Sequence, residues 1–321
     1  MVYCVFPPKY SICGKSGLLR LVDGIYLCDI ECEILKTMKR ALILGFFAFG
    51  AIAMTGCENG AATDGGGESH ADTTHTVAPE ANTQDAPTQF EGGGLKIYSL
   101  ENSTAYPNSK LKMTNPPSGV DLAGGNNKFE FETTDYELGA QTPDASENGL
   151  ANSGKGQHLH FILNNGPYSA KYEGAFEQEL EDGHYVMLAF LSRSYHMSVK
   201  SPDAYVLKQF VAGQPSGFKE ANLKAPHMFY SRPKGTYKGD DTKKIMLDFY
   251  LVNCDLAADG YKVKANINGN DFTFAKWVPY VIEGLPMGEN KISLELIDAE
   301  GQTVASPFNP VERTFMLEEG A

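Results

Sequence analysis

From Leu95 onward, hydrophobic and polar residues alternate in short runs that glycine, proline and asparagine interrupt. A period of two is typical of β-strands, and this region contains no long segment with the period of an amphipathic helix. The pattern therefore predicts an all-β protein rather than a helical or mixed one.

The two halves of this region repeat one another. GQHLHFILNN at 156–165 aligns with GYKVKANING at 260–269, and LEDGHYVMLAFL at 180–191 aligns with LPMGENKISLEL at 285–296. A third match joins the segment at 117–132 to the one at 233–250. Each copy is about a hundred residues long, which is typical of an immunoglobulin-like sandwich. The repeat predicts two tandem Ig-like β-sandwich domains, at 95–222 and 223–321.

His158 and His160 lie two residues apart and therefore share one face of a strand. Their counterparts in the second copy are Lys262 and Lys264, so we expect both imidazoles to face solvent. An exposed pair without supporting residues predicts binding of Cu(II) or Zn(II) no tighter than about micromolar.

A metal site requires at least one further ligand near this pair. The histidines that could supply it are His184, His196 and His227, and the last two precede methionines that would add a thioether. An alternative prediction is therefore a copper or zinc site formed by His158, His160, His196 and His227.

The two copies differ in the strand that follows Gly183. Apolar residues occupy both of its faces, whereas the matching strand of the second copy alternates regularly. A strand that is apolar on both faces is covered on both faces. Two segments could provide the second cover: the insertion at 139–154, found only in the first copy, or the second domain.

Two segments combine arginine with tyrosine, histidine and serine: SRSYHMSVK at 192–200 and HMFYSRPKG at 227–235. Guanidinium groups match the oxygens of phosphate or carboxylate. We predict an anion-binding site where these segments meet on one exposed surface, and a set of solvated charges is the alternative. The predicted site residues are Arg193, Ser194, Tyr195, His196, His227, Tyr230, Arg232 and Lys234.

The first part of the chain resembles targeting sequence rather than a folded domain. From Met38 it reads MKRALILGFFAFGAIAMTGC, in which two basic residues precede an apolar run and small residues precede Cys57. The run is shorter than the roughly 20 residues that span a bilayer. We predict a lipoprotein signal peptide at 38–57 with lipid on Cys57, an extension absent from the mature protein at 1–37, and a disordered acidic linker at 58–94.

The net charge and the absence of known catalytic motifs argue against several classes of function. The net charge of −13 argues against a nucleic-acid partner. Four of the six cysteines precede Met38 and Cys57 is the expected lipid site, so Cys254 alone remains for the domains. The domains contain no G-x-S-x-G or H-E-x-x-H motif, so we expect no enzymatic activity and no cofactor.

The blocks GQHLH, LSRSYH and HMFYSRPKGTY resemble uncharacterised bacterial tandem Ig-like lipoproteins, some of which are labelled phosphopeptide-binding. The resemblance extends from about Leu95 to the end of the chain. It implies a lipid-anchored position in the cell envelope, outside the cytoplasm. Three hypotheses follow: a module that binds a protein or an anionic or phosphorylated ligand, a copper or zinc protein, and a structural spacer.

Overall fold

The computed structural model describes residues 11–13, 18–21, 24–27, 86, 88–100, 102–217 and 220–320. The chain divides into two compact units, Met1–Thr73 and Thr74–Ala321. In the first unit, β1 (Ser11–Cys13), β2 (Leu18–Leu21) and β3 (Gly24–Leu27) form an antiparallel sheet. The predicted signal peptide at 38–57 and its Cys57 lie outside the described residues.

Among the described residues of the second unit, all regular structure is β-strand apart from one 3-10 helix at Gly239–Thr242. In the described part of the chain, no helix is long and apolar enough to cross a membrane. The strands in chain order are β4 (Gln89–Gly92), β5 (Leu95–Ser99), β6 (Lys110–Asn115), β7 (Gly125–Thr134), β8 (His158–Leu163), β9 (Ser169–Lys171), β10 (Ala175–Leu180), β11 (Gly183–Ser192), β12 (Tyr205–Ala212), β13 (His227–Arg232), β14 (Gly235–Lys238), β15 (Ile245–Val252), β16 (Lys262–Ile267), β17 (Asn270–Phe274), β18 (Tyr280–Glu283), β19 (Gly288–Ile297) and β20 (Val311–Glu318).

The first sandwich pairs the sheet β10-β7-β6 with the sheet β12-β11-β8-β9. Alternate residues of these strands point between the sheets, because successive side chains of a strand lie on opposite faces. The resulting core includes Phe129, Leu159, Phe161 and Met187, all of which are buried. Four sheets in two sandwiches confirm the predicted all-β, Ig-like fold class.

The second sandwich pairs the sheet β13-β15-β18-β5-β4 with the sheet β14-β20-β19-β16-β17. Its core includes Leu247, Phe249, Val263 and Leu294. The strand order repeats that of the first sandwich, with β12-β11-β8-β9 matching β20-β19-β16-β17. The second copy adds β14 at one sheet edge and β4 and β5 at another.

Strand register confirms the predicted internal repeat. In the first sandwich, β8 and β11 pair with Leu159 opposite Leu191. In the second, β16 and β19 pair with Val263 opposite Leu296. The sequence alignment had matched these same residues across the copies, so both halves use one strand pair in one register.

The predicted start of the first domain at Leu95 is wrong, because β5 joins the second sandwich. Ile97 pairs with Ile282 of β18 and is fully buried in the second core. The predicted linker also ends too late, since Gln89–Gly92 forms a hairpin with β5 through Gly93 and Gly94, both at positive φ. Phe90 anchors the hairpin by packing edge-on against core aromatic rings. The signal was a Gly-Gly pair between two alternating runs.

The outer faces of β8 and β11 pack against the outer faces of β13 and β15, in a contact we call the junction. Phe190 of β11 stacks on Tyr250 of β15 with ring centroids 4.6 Å apart. A buried ion pair lies beside it, with Lys200 Nζ 2.8 Å from Asp248 Oδ1. The second domain therefore provides the cover that the doubly apolar strand requires, one of the two alternatives left by the sequence.

Candidate functional site

His158 and His160 are fully buried, so the prediction that they face solvent is wrong. They do lie on the outer face of β8, opposite the core residues Leu159 and Phe161. In the first copy, however, the junction covers that face: His160 Nδ1 lies 3.0 Å from Ser231 Oγ of β13. The matching face of β16 carries an exposed Lys264 and has no such cover.

A third histidine completes a cluster at one end of the junction. His160 Nε2 and His196 Nδ1 each lie 3.1 Å from His158 Nε2. The three candidate ligand atoms all lie within 4.8 Å of one another, and His158, His160 and His196 are henceforth called the histidine trio. Three of the four residues of the alternative metal prediction are thus brought together.

Hydrogen bonding fixes the tautomer of His158. Its Nδ1 lies 2.8 Å from the carbonyl oxygen of Gly156, which can only accept, so Nδ1 carries the proton. In the neutral ring, Nε2 is then an unprotonated nitrogen with a single lone pair. Two ring nitrogens approach it at 3.1 Å, and only one of them can donate a well-aligned hydrogen bond to that lone pair. A metal ion would satisfy all three nitrogens at once.

The position of His158 depends on Gly156, two residues earlier in the chain. Gly156 has φ of +85°, and a Cβ there would lie 2.2 Å from the carbonyl oxygen of Gly139 and 2.5 Å from that of Ala140. Gln157 N also donates to the carbonyl oxygen of Ala140. The insertion at 139–154 therefore packs directly on the backbone that orients His158, and only glycine fits this contact.

His196 enters the cluster from a tight turn after β11. Its own N donates to the carbonyl oxygen of Arg193, while Arg193 N donates to that of Met197. The turn places His196 at φ of +70°, a conformation that non-glycine residues seldom adopt. Such strain persists where the surroundings fix it, here by contact with His158 and Tyr168.

Burial keeps the histidine trio neutral. Loss of solvent lowers the pKa of His158 to about 4, and the positive charges of Arg232 and Lys234 act in the same direction. Burial also holds the pKa values of His160 and His196 well below the ordinary histidine value, with the same two cations contributing. At neutral pH all three rings are therefore in the form that binds metals.

The donor set suits a borderline transition metal. Three imidazoles are the protein ligands of several zinc sites, with Zn–N bonds of about 2.0–2.1 Å. Two such bonds at the tetrahedral angle separate their nitrogens by about 3.3 Å, close to the observed 3.1 Å separations. Calcium and magnesium prefer oxygen ligands and do not fit this set.

The first arginine segment does not form an exposed binding surface, and that part of the prediction is wrong. Arg193 is 6% exposed, and its Nε donates to the carbonyl oxygen of Thr104 at 2.9 Å. Ser194 N donates to Thr142 Oγ1, and Tyr195 Oη donates to Asp144. These hydrogen bonds attach the insertion and the segment before β6 to the first sandwich.

The side chains of the second arginine segment, 227–235, lie in different parts of the structure. His227 lies away from the histidine trio, with its ring nitrogens near Ser306 Oγ and the carbonyl oxygen of Asn222. Tyr230 belongs to the core of the second sandwich. Arg232 and Lys234, by contrast, lie close enough to His196 for their charges to lower its pKa. Arg232 is also buried, at 7% exposure, so it offers no open surface either.

Sequence reasoning missed Tyr168, which lies between β8 and β9. Its ring stacks on His160 with centroids 3.5 Å apart and planes 7° from parallel. Its Oη lies 3.3 Å from His196 Nδ1. Burial raises its pKa, while Arg232 beside it acts in the opposite direction. The only signal in the sequence was an aromatic residue in the turn that follows the His-x-His strand.

No protein-family model matches the chain, and no curated protein sequence matches it. Among solved structures, fibronectin(III)-like modules of Clostridium thermocellum CbhA share 12% identity and a TM-score of 0.23, covering 65% of this chain and 94% of that one. The tandem V-type regions of VCBP3, a chitin binding protein, share 9% identity and a TM-score of 0.20, covering 65% and 99%.

A third similar structure is SGBP-B of the Bacteroides ovatus mixed-linkage glucan utilization locus, in complex with a mixed-linkage heptasaccharide. It shares 8% identity and a TM-score of 0.19, covering 68% of this chain and 72% of that one. The sheet order described above defines the fold of this chain.

Proposed function

We propose that this protein is a binding module that holds a Zn(II) or Cu(II) ion in the histidine trio. The observation that supports the proposal most strongly is the approach of two ring nitrogens to the single lone pair of His158 Nε2. Burial makes the site preorganised, because the rings are already oriented by Gly156 and Ser231. An affinity no tighter than micromolar is expected of an exposed histidine pair, whereas His158 and His160 are both fully buried.

The alternative of phosphopeptide recognition has less support from the geometry. A phosphate site needs guanidinium donors that remain free for the ligand. Arg193 already donates to the backbone at Thr104 and Ser198, and the first sandwich buries it. Arg232 Nη1 donates to Tyr237 Oη at 2.7 Å; its Nε has no hydrogen-bond partner among the described residues but is buried, so the guanidinium faces no open surface.

The proposal includes a place for the module in the cell. A lipid on Cys57 would hold both sandwiches outside the cytoplasm at a membrane of the cell envelope. Expression from Met38 with labelled palmitate should give a labelled, membrane-bound protein. Cys57→Ser should lose the label and the membrane retention together, and a label unchanged by this substitution would contradict the anchor.

Metal binding is tested by equilibrium dialysis of the full chain against Zn(II) and Cu(II), with the bound metal counted by mass spectrometry. We expect one ion whose dissociation constant is below about 1 μM, equivalent to about −8 kcal/mol or tighter. His158→Asn should weaken binding by more than about 100-fold, because it removes a direct ligand. Asparagine retains a donor for the Gly156 carbonyl oxygen.

The matched control is His184→Asn, which removes a histidine of β11 outside the trio. Every variant retains the same six cysteines, so the difference between variants isolates the histidine contribution. Equal metal content in the wild type, His158→Asn and His184→Asn would overturn the proposed function.

A further inference from the structure

A small cavity beside His196 is lined by two cations and by no described acidic residue. Arg232, Lys244 and Tyr237 contribute to its wall, and much of the remainder is apolar, as at Met246. Its volume of about 10 Å³ admits roughly one water-sized sphere. A single small ion or one water molecule therefore fits this cavity, whereas a phosphate group does not.

Arg232 carries a buried charge that no described carboxylate offsets. Its side chain is 7% exposed, and its Nε is buried without a hydrogen-bond partner among the described residues. The ion pairs of this part of the chain include neither Arg232 nor the nearby Lys234 and Lys244. The rings of Tyr168 and Tyr237 have their centres 5.6 Å from Arg232 Cζ, but ring contacts offset a buried charge only in part. Such a charge is costly unless it is paired.

Lys234 places a second positive charge near the first. Its Nζ lies 4.0 Å from the centre of the Tyr168 ring, against which Arg232 also packs. The ammonium donates to the carbonyl oxygen of Tyr168 at 2.8 Å, and this acceptor has no full charge. Burial and the charge of Arg232 both lower the pKa of Lys234. Two like charges thus lie together in a chain whose formal net charge is −13.

We propose that this cavity binds one small inorganic anion of about the size of chloride. The anion accepts a hydrogen bond from Arg232 Nε and offsets the charges of Arg232 and Lys244, while Lys234 attracts it from further away. Its enclosure and small size distinguish this site from an open surface that recognises a phosphopeptide.

Metal binding in the histidine trio should depend on this anion. His196 lines the cavity and belongs to the trio, so the metal ion and the anion would occupy neighbouring buried positions. Opposite charges attract strongly where water is excluded. By linkage, each ion then raises the affinity of the protein for the other by the same factor. The anion site is independent of the proposed function, whereas this coupling rests on it.

Urea unfolding of the full chain with a chelator present tests the anion site. The unfolding is measured in sodium chloride and in sodium methanesulfonate of equal ionic strength, because methanesulfonate is too large for the cavity. An ion that binds only the folded protein raises the folding equilibrium constant in proportion to its occupancy. For a dissociation constant of about 30 mM, we expect that equilibrium constant to be about tenfold higher in about 300 mM chloride.

Arg232→Met should abolish the difference between the two salts, because it removes the buried charge and the proposed donor. The matched control is Arg313→Met. Arg313 also lies over a tyrosine, with Cζ 5.5 Å from the centre of the Tyr230 ring, but it does not line the cavity. This control should keep the full chloride effect. If Arg232→Met does not fold, Lys244→Met removes the other cation of the cavity wall from a half-buried position and should reduce the effect.

Two outcomes of the unfolding experiment would overturn the inference. Equal folding constants of the wild type in both salts would mean that the cavity holds only water. A chloride effect of unchanged size in Arg232→Met, or in Lys244→Met where Arg232→Met does not fold, would identify a general effect of salt.

Equilibrium dialysis with Zn(II) in the same two salts tests the coupling separately. We expect the dissociation constant of zinc to be at least about fivefold lower in chloride. Equal constants in both salts would contradict the coupling. If chloride stabilises the folded protein but the trio retains no zinc, the anion site stands and the proposed function fails.

Discussion

Strands β8 and β16 are the same strand in the two copies of the repeat, yet their outer faces have opposite environments. Each pairs with its neighbour in the same register, and each directs alternate apolar residues into a sandwich core. On the other face, β8 carries His158 and His160 fully buried at the junction. At the matching positions, β16 carries a half-buried Lys262 and an exposed Lys264.

The difference shows that a neighbouring domain, rather than the strand itself, creates the candidate site. Polar side chains on an exposed strand face need no protein partner, because water satisfies them. Buried polar groups require partners, which for β8 come from Ser231, Gly156 and His196. The junction, present only on the first copy, therefore converts a strand face that accepts many polar side chains into one whose polar side chains need protein partners.

The largest loss of unfolding free energy is expected from a substitution that removes a packed side chain from the junction. Tyr250 is 1% exposed and stacks on Phe190, so Tyr250→Ala should lower the free energy of unfolding by about 3–5 kcal/mol. Lys264→Ala on the exposed face of β16 should change it by less than about 0.5 kcal/mol. Urea denaturation followed by tryptophan fluorescence measures both. Equal effects of the two substitutions would contradict the contrast between the faces.

The buried ion pair at the junction can be compared with a surface pair in the other copy. Asp248 is fully buried against Lys200, and Glu130, which the repeat aligns with it, pairs with Lys128 in solvent. Asp248→Asn should cost about 3 kcal/mol, because it leaves a buried ammonium without its counter-charge. Glu130→Gln should cost at most about 1 kcal/mol. The same denaturation experiment tests the pair.

Acid should weaken the metal-free protein through the histidine trio. Burial lowers the pKa of His158 to about 4, so below pH 6.5 the unfolded chain binds a proton that the folded protein does not. The stability is therefore intact above pH 6.5 and is lost as the pH falls towards 4. His158 alone should account for about 3 kcal/mol, at about 1.4 kcal/mol per pKa unit.

Unfolding titrations at several pH values in the presence of a chelator measure this loss. His158→Asn serves as the control, because it removes the titrating ring and should flatten part of the pH dependence. An identical slope between pH 6.5 and 4 in both proteins would show that His158 is protonated in the folded state.

The smallest change in stability and metal binding is expected from introducing the His-x-His pattern of β8 into β16. Lys262→His combined with Lys264→His gives β16 the His-x-His pattern of β8 without a junction to cover it. Its free energy of unfolding should change by less than about 0.5 kcal/mol. The metal stoichiometry of the full chain should stay at one, since an exposed pair lacks a third ligand. A second ion of comparable affinity would show that burial is unnecessary.

The fold could be predicted from the sequence because it depends on local periodicity and on the repeat. Alternation predicted the strands, and alignment of the halves predicted their shared register. The placement of β5 could not be predicted, since nothing in the sequence LKIYS indicates which sandwich the strand will join. Strand patterns identify the inward residues but not the sheet that they complete.

The candidate site could be predicted only in part, for the same reason. The pairing of His158 with His160 follows from strand geometry, whereas the approach of His196 depends on a turn with φ of +70°. Alignment with Lys262 and Lys264 even pointed away from burial, because a repeat shows what a strand tolerates and not what covers it. The strand that is apolar on both faces was the one local sign that the copies differ outside their cores.

X-ray absorption of the zinc-loaded full chain would identify the atoms bound to the metal and so show whether the histidine trio holds it. We expect three imidazole nitrogens at about 2.0–2.1 Å from the zinc. In His196→Asn, which suits the positive φ of that turn, the zinc should be lost or one imidazole should disappear from the spectrum. A spectrum dominated by sulfur at about 2.3 Å, unchanged in this variant, would place the metal on cysteines and contradict the account.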